Sequence, residues 1–193
     1  MEIRILQIEE LANAAGLSRF VFDNCVRNRM EFVQTAAFVE EYLSLDNLTA
    51  MCQEQKLTIW AAFEMGQMVG VSGLQSDGMI TMLYILPQYA RRGFGSALLS
   101  TMREFAKDVY GFEQVTVNAT PAWASTYFAS QGFVFRDPKQ NMHVPYVTMD
   151  AFSNKIQMFK KNYVSGKFIG ITVVVCFLLA TIIGCAYMAH YLF

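Results

Sequence analysis

A chain of 193 residues in which 54% of positions are hydrophobic and only 16% are charged is too apolar, on average, for a single soluble domain, where about 25% of residues carry charge. Four prolines, four cysteines and no internal repeat exclude collagen-like, disordered and disulfide-stapled classes. Charge locates the apolar excess: residues 1–150 hold eleven Lys and Arg against sixteen Asp and Glu, a net of about minus five, whereas Lys155, Lys160, Lys161 and Lys167 follow Asp150 with no acid at all. That asymmetry predicts a domain over 1–150, a basic linker over 151–167 and a membrane helix over 168–190. An acidic domain is a poor polyanion binder, so no nucleic-acid partner is expected. Cys25, Cys52, Cys176 and Cys185 lack the paired spacings of zinc sites and read as reduced thiols. With only two histidines, no metal is expected.

In chain order, the alternation in Ile3–Ile8 predicts a strand, and the three-and-four spacing across Leu11–Met30 and Glu31–Ser44 predicts two helices. The period then changes to two. Thr58–Phe63, Met68–Leu74 and Met79–Leu86 read as an antiparallel meander turning at Glu64–Gly66 and Ser76–Gly78. Pro87 halts the third strand, and after a basic glycine loop, Ala90–Gly95, a helix is predicted over Ser96–Tyr110 and stopped by Gly111. A short strand at Val115–Val117 precedes Thr120 and Pro121, an N-cap and first-turn signal for a helix ending near Gly132. Strands from Phe133 and near Val144–Met149 complete an α/β (α+β) domain around one mixed, mainly antiparallel sheet flanked by helices.

Phe168–Phe193 contains no formal charge and exceeds the ~20 residues that cross a hydrocarbon core. Its Phe, Ile, Leu and Val residues favour insertion by about 3 to 7 kcal/mol in total. Lysines flank only the N-terminal side, so positive charge is expected to hold residues 1–150 in the cytoplasm beside a single-pass, C-terminal anchor in the lipid bilayer. MEIRILQIEE is acidic and does not resemble a signal peptide. Gly166 with Gly170, and the stripe Cys176, Ala180 and Gly184, allow two such helices to approach, which admits a homodimer.

The chemistry concentrates in Met82–Ser96, MLYILPQYARRGFGS. A strand enters Arg91, Arg92, Gly93, Phe94 and Gly95, and a helix follows at once. Glycines let backbone N–H groups approach a ligand, and a helix N-terminus adds orphan donors and a partial positive charge, a combination suited to phosphate. Neither the Gly-Lys-Ser/Thr of a P-loop nor a complete Gly-x-Gly-x-x-Gly is present. Ala90–Gly95 together with NATPAWASTYFASQGF, Asn118–Phe133, resembles the GNAT superfamily of acyl-CoA-dependent N-acetyltransferases. Ala90 departs from the Gln or Arg that opens the superfamily's signature.

The resemblance covers residues 1–150 and implies acetyl-CoA as co-substrate, an amine acceptor, and a wedge between the fourth and fifth strands. It assigns Leu83, Tyr84 and Ile85 to pantetheine and acyl contacts, Arg91, Arg92, Gly93, Phe94, Gly95 and Ser96 to the diphosphate, and Asn118 to the pantetheine arm or the site near it. Tyr127 is the implied thiolate acid, since a phenol is mostly protonated at neutral pH. The other reading of Tyr127 is a packing aromatic beside Trp123, one helical turn earlier. No carboxylate lies within Met79–Leu86, so Glu64, Asp77, a glutamate of the first helices or His143 would have to serve as base. Arg27, Arg29 and Glu31 read as acceptor contacts or as a solvated face. Two functional classes follow: an N-acetyltransferase acting on a primary amine of a small molecule or protein, or a non-catalytic, membrane-tethered acyl-CoA-binding module.

Overall fold

The computed structural model describes residues 1–29, 33–119, 122–137 and 147–153. One compact unit spans Met1–Ser153. Its elements are β1 (Glu2–Ile5), α1 (Leu11–Val21), α2 (Val33–Tyr42), α3 (Leu45–Gln53), β2 (Leu57–Glu64), β3 (Gln67–Gln75), β4 (Met79–Ile85), α4 (Phe94–Asp108), β5 (Gln114–Ala119), α5 (Ser125–Ser130), β6 (Val134–Phe135) and β7 (Val147–Phe152). The seven strands form one sheet in the order β1-β2-β3-β4-β5-β7-β6. Every neighbouring pair is antiparallel except β4 with β5. The mixed, mainly antiparallel sheet flanked by helices is the predicted architecture.

Each face of the sheet has its own core. Trp60, Ile80, Val115 and Val117 pack with Leu98, Leu99, Met102 and Ala106 of α4. On the opposite face, Ile59, Ala61, Val71 and Met82 meet Leu11, Ala14 and Ala15 of α1 and Leu48 of α3. These side chains are nearly all inaccessible to water, and burying one Leu or Ile is worth about 1.5 to 3 kcal/mol. Because both faces are covered, β2 and β3 are buried almost continuously along their length.

Two differences from the sequence reading lie in the helical hairpin. The first predicted helix stops being α-helical at Val21, passing through a π-helical turn, Phe22–Val26, and a 3-10 turn, Arg27–Arg29. An additional helix, α3, follows Ser44, whose hydroxyl caps it by accepting from the Asn47 amide at 3.3 Å. Leu48 is its fully buried residue, and Met51 and Cys52, three and four positions on, pack beside it in the same core. α4 begins at Phe94, two residues earlier than expected.

Arg103 fixes α4 to the rest of the domain. It is 3% exposed, and its guanidinium donates to the Phe152 carbonyl through Nε at 2.8 Å and through Nη2, and to the Gln131 carbonyl through Nη1 at 3.1 Å. One buried cation thereby ties α4 to both β7 and the end of α5. β7 continues to Phe152, so the last strand runs past the boundary at Asp150. Among the described residues no helix is long and apolar enough to cross a membrane. The predicted span, 168–190, and linker residues 154–167 lie outside them, as do Thr120, Pro121 and His143.

Candidate active site

β4 and β5 begin as a parallel pair and then part. Met79 is opposite Thr116 and Ile80 opposite Val117, and the pairing ends there. A bulge contributes to the divergence: Gly73 pairs with Met82 and Leu74 with Ile80, leaving Thr81 as the extra residue of β4. The Leu86 N–H donates to the Val69 carbonyl at 2.9 Å, toward β3. By strand alternation the backbone groups of Leu83 and Ile85 point the other way, into the gap beside β5. Their side chains pack toward α4, whereas Tyr84 packs on the α1 side. Burial pushes the Tyr84 phenol well above its ordinary pKa.

The gap opens onto the N-terminus of α4. Gly93 caps the helix at φ +89, a conformation glycine adopts without penalty, and a Cβ there would meet nothing within 4 Å. The first α-helical bond, from the Ala97 N–H to the Gly93 carbonyl, is 3.0 Å, which leaves the amides of Phe94, Gly95 and Ser96 ahead of it. Amides in that position, at the positive end of the helix dipole, are suited to an anion. Phe94 is buried against Tyr89, their ring centroids 5.9 Å apart, so it offers an anion only its backbone.

The two loop arginines are placed differently. Arg91 is exposed at φ +61 and has no ion pair among the described residues. Arg92 donates to Glu64 Oε1 at 2.7 Å, and its guanidinium lies 5.1 Å from the centroid of Tyr89 and 5.8 Å from that of Phe94. Arg92 therefore braces the loop against the β2–β3 turn. Glu64, offered by the sequence as a base, is that brace's other half.

Tyr127 reaches the same place from α5. A Cβ on Gly95 would stand 2.7 Å from its hydroxyl and 3.8 Å from Ile85 Cγ1, so glycine at 95 is what seats the phenol over the first turn of α4. Burial pushes the Tyr127 phenol above its ordinary value, and the nearby Ser96 side chain works against the push. Tyr127 is 37% exposed and Trp123 45%, so neither is simply core packing.

Asn118 lies on the opposite sheet face from the α4 core. Its Oδ1 accepts from Thr148 Oγ1 at 2.9 Å, and its Nδ2 lies 3.9 Å from Met79 Sδ, at the base of the gap. Thus the structure brings Ile85, Gly95 and Tyr127 together beside the first turn of α4, with Leu83 on the same sheet face, while Asn118 lies across β5 on the other face, Arg91 is exposed on the loop, and the side chains of Tyr84 and Arg92 turn elsewhere. Sequence reasoning missed Thr148, which fixes Asn118, and Gly70, where a Cβ would run into Ile85 Cδ1. Neither carries a local spacing signal.

The remaining candidate bases are also placed. Asp77 is exposed on the turn before β4, where its Oδ1 accepts from the Met79 amide at 3.0 Å. Glu10 is held by Arg4, whose hydrogen bonds lower its carboxyl to about 2. Glu40 pairs with Arg27 and with Arg19, and Asp23 binds both arginines as well. Arg27 belongs to this network between α1 and α2. Cys25 and Cys52 are free thiols, and among the described residues no group of three potential ligands could hold a metal.

A parallel pair that splays onto a glycine-capped helix, with a phenol at the junction, defines a coenzyme-binding acyl-transfer fold. The chain belongs to the acetyltransferase (GNAT) domain family, which it matches over residues 23–151. It is an acyl-CoA-dependent N-acetyltransferase, and the non-catalytic alternative is not favoured. No curated protein matches the chain. Among solved structures it is similar to a GCN5-related N-acetyltransferase from Rhodopseudomonas palustris, at 21% identity and a TM-score of 0.64, covering 78% of this chain and 94% of that one. The PaiA N-acetyltransferase from Thermoplasma acidophilum, solved in complex with coenzyme A, is 17% identical with a TM-score of 0.60, covering 79% and 99%. A ribosomal-protein-alanine N-acetyltransferase from Brucella melitensis is 16% identical with a TM-score of 0.57, covering 79% and 99%.

Proposed function

We propose that the chain transfers the acetyl group of acetyl-CoA to a primary amine of a small molecule or protein, within the gap between β4 and β5. The observation that carries this reading is the end of strand pairing at Ile80 and Val117, directly before the bared amides of α4. Those amides and Arg91 suit the diphosphate, the backbone groups of Leu83 and Ile85 suit the pantetheine amides, and Asn118 suits the arm near the acyl group. The thioester supplies an activated acetyl group. Backbone donors of β4 polarise its carbonyl as the amine attacks, and Tyr127 gives the departing sulfur its proton.

The amine must attack in its neutral form, which a lysine-like group with a pKa near 10.4 adopts in only about one molecule in 2,500 at pH 7. Desolvation in the cleft and water-mediated deprotonation supply that step in this reading. Related folds named for spermidine and for ribosomal-protein alanine acceptors make polyamines and protein N-termini the first amines to try. Mass spectrometry after mixing the full chain in detergent with acetyl-CoA and an amine library tests the proposal. Acetylated amine supports it, whereas coenzyme A binding without turnover returns the chain to a binding module.

The proposal extends to location. The uncharged stretch Phe168–Phe193 behind four lysines supports a single-pass anchor that holds the catalytic domain on the cytoplasmic face. The small-residue stripe supports a homodimer in the bilayer. The full chain is expected to pellet with membranes through a high-salt wash, and release by salt would remove the anchor.

A further inference from the structure

The end of the β2–β3 hairpin and the loop before α4 meet at two points. The hairpin turn is tight: Met65 and Gly66 both have positive φ, 51 and 77, and Glu64 and Gln67 form the last cross-strand pair. Each member of that pair binds the loop. Gln67 Oε1 accepts from the Tyr89 hydroxyl at 3.3 Å, and Glu64 Oε1 accepts from Arg92 Nη2 at 2.7 Å.

The loop has further ties of its own. Tyr89 packs edge-on against the buried Phe94 ring, and the N–H groups of Leu86, Tyr89 and Ala90 donate to the carbonyls of Val69, Leu86 and Pro87 at 2.9, 2.9 and 3.1 Å. These contacts hold the loop independently of the ion pair. The pair is 49% exposed at Arg92 and 25% at Glu64, and a pair so exposed adds little to the fold. Its consequence lies in where it keeps the charge. Arg92 directly precedes Gly93, the cap of α4, and its guanidinium stands 5.8 Å from the Phe94 ring centroid. The Phe94 amide is one donor of the cradle that the α4 amides form in the proposed function. A guanidinium binds carboxylate and phosphate with the same fork of donors, so Glu64 and a diphosphate are rivals for one cation.

We propose that Glu64 is a positioning residue that sets coenzyme affinity: it holds Arg92 on the hairpin side of the loop, so that this arginine does not add to the diphosphate's donors. This rests on the reading of the α4 amides as the diphosphate site. Coenzyme A leaves after every turnover with its diphosphate unchanged, so an added cation on that group slows departure as well as strengthening capture. Neutralising Glu64 hands Arg92 to the diphosphate.

The test is calorimetry with coenzyme A on the full chain in detergent, in four forms: unaltered, Glu64→Gln, Arg92→Ala and the double variant. Glu64→Gln should bind about tenfold more tightly, the worth of one charge-assisted hydrogen bond. Arg92→Ala should stay within about threefold of the unaltered chain, and the double variant within about twofold of Arg92→Ala. An unchanged or weakened affinity in Glu64→Gln would assign the pair to holding the loop and overturn the proposal. A gain that survives in the double variant would mean that Glu64 acts on the diphosphate by its own charge, and overturns it too. Dephospho-coenzyme A, which keeps the diphosphate and lacks the separate ribose phosphate, should show the same gain; losing the gain would assign Arg92 to the ribose phosphate instead. Should Glu64→Gln fail to fold, Glu64→Ala carries the same comparison. Absence of binding by the unaltered chain would defeat the cradle reading itself, and the proposal with it, an outcome distinct from any pattern among the variants.

Discussion

The two faces of β4 are built on different principles. On the α4 side, the cleft consists of backbone: a strand that leaves its neighbour, a left-handed Gly93, and amides ahead of the first helical bond. On the α1 side, the surface consists of side chains that bind one another: Arg19 and Arg27 with Asp23 and Glu40, and Tyr42, whose hydroxyl accepts from Gln75 at 3.3 Å. The first kind of site suits a constant chemical group, in the proposed function a diphosphate, because amides in a fixed geometry need no particular neighbour. The second kind is adjustable residue by residue, which is what a face that selects among amines requires.

The sharpest way to break this contrast is to put a side chain into the backbone site. Gly95→Val would place branched carbons where the Tyr127 hydroxyl now lies and crowd Ile85. We expect coenzyme A affinity to fall about a hundredfold or more, with acetyl transfer below detection, while the fold persists by circular dichroism. Near-normal affinity, read by calorimetry, would mean that the first turn of α4 is not the cradle.

Next in size is Arg103→Ala, which acts on the fold beneath the site. Removing the guanidinium takes three hydrogen bonds away from the Phe152 and Gln131 carbonyls, and each is worth about 0.5 to 1.5 kcal/mol net. Urea denaturation should show a loss of about 3 kcal/mol. Lys at 103 should recover only part, because an ammonium cannot reproduce the guanidinium's fixed fork of donors. An unchanged midpoint would show that α4 is held by its apolar face alone.

The loop arginines sharpen the comparison. Arg91→Ala should weaken coenzyme A binding about tenfold, since its charge is uncommitted among the described residues. Arg92→Ala should weaken it no more than about threefold, because Arg92 is engaged by Glu64 and the exposed pair is worth only ~0 to 1 kcal/mol. The reverse order in the calorimeter would mean that Arg92 exchanges Glu64 for the diphosphate.

This asymmetry explains what could be read from the chain. Gly93, Gly95 and the strand before them are adjacent in sequence, so backbone function leaves a contiguous mark. The meander was visible because β2 and β3, buried on both faces, are short apolar runs separated by turn residues at Glu64–Gly66 and Ser76–Gly78. Arg103 was not, since an arginine on an amphipathic helix normally marks the wet side, and only the meeting of β7 with α5 makes it a buried strut. Glu64 with Arg92, and Asn118 with Thr148, join residues 28 and 30 positions apart, which no local spacing encodes. α3 escaped for another reason: it is only nine residues long and follows α2 at once, so its Leu48, Met51 and Cys52 stripe stands beside another helical pattern rather than apart from it.

The smallest effect concerns the far end of the sheet. Asp150 on β7 receives two hydrogen bonds from Arg136, at 2.9 and 2.7 Å, and one from Thr116 Oγ1 at 2.8 Å. The Arg136 bond chiefly holds its carboxyl below the ordinary 3.8, against the opposing push of burial. A carboxyl with a depressed folded pKa stabilises the native state fully above its unfolded value, and the contribution disappears as pH falls through the folded value. Asp150→Asn should therefore cost no more than about 1 kcal/mol at pH 7, because Arg136 is 58% exposed and the pair is screened. The variant and the unaltered chain should converge in stability as the pH drops below 3.8. Parallel curves in urea melts from pH 7 downward would show that the pair carries no charge-dependent stability. The strand flanking Asn118 would then be held by its backbone ladder, the Thr148–Asn118 bond and Arg103, none of which changes charge over this range.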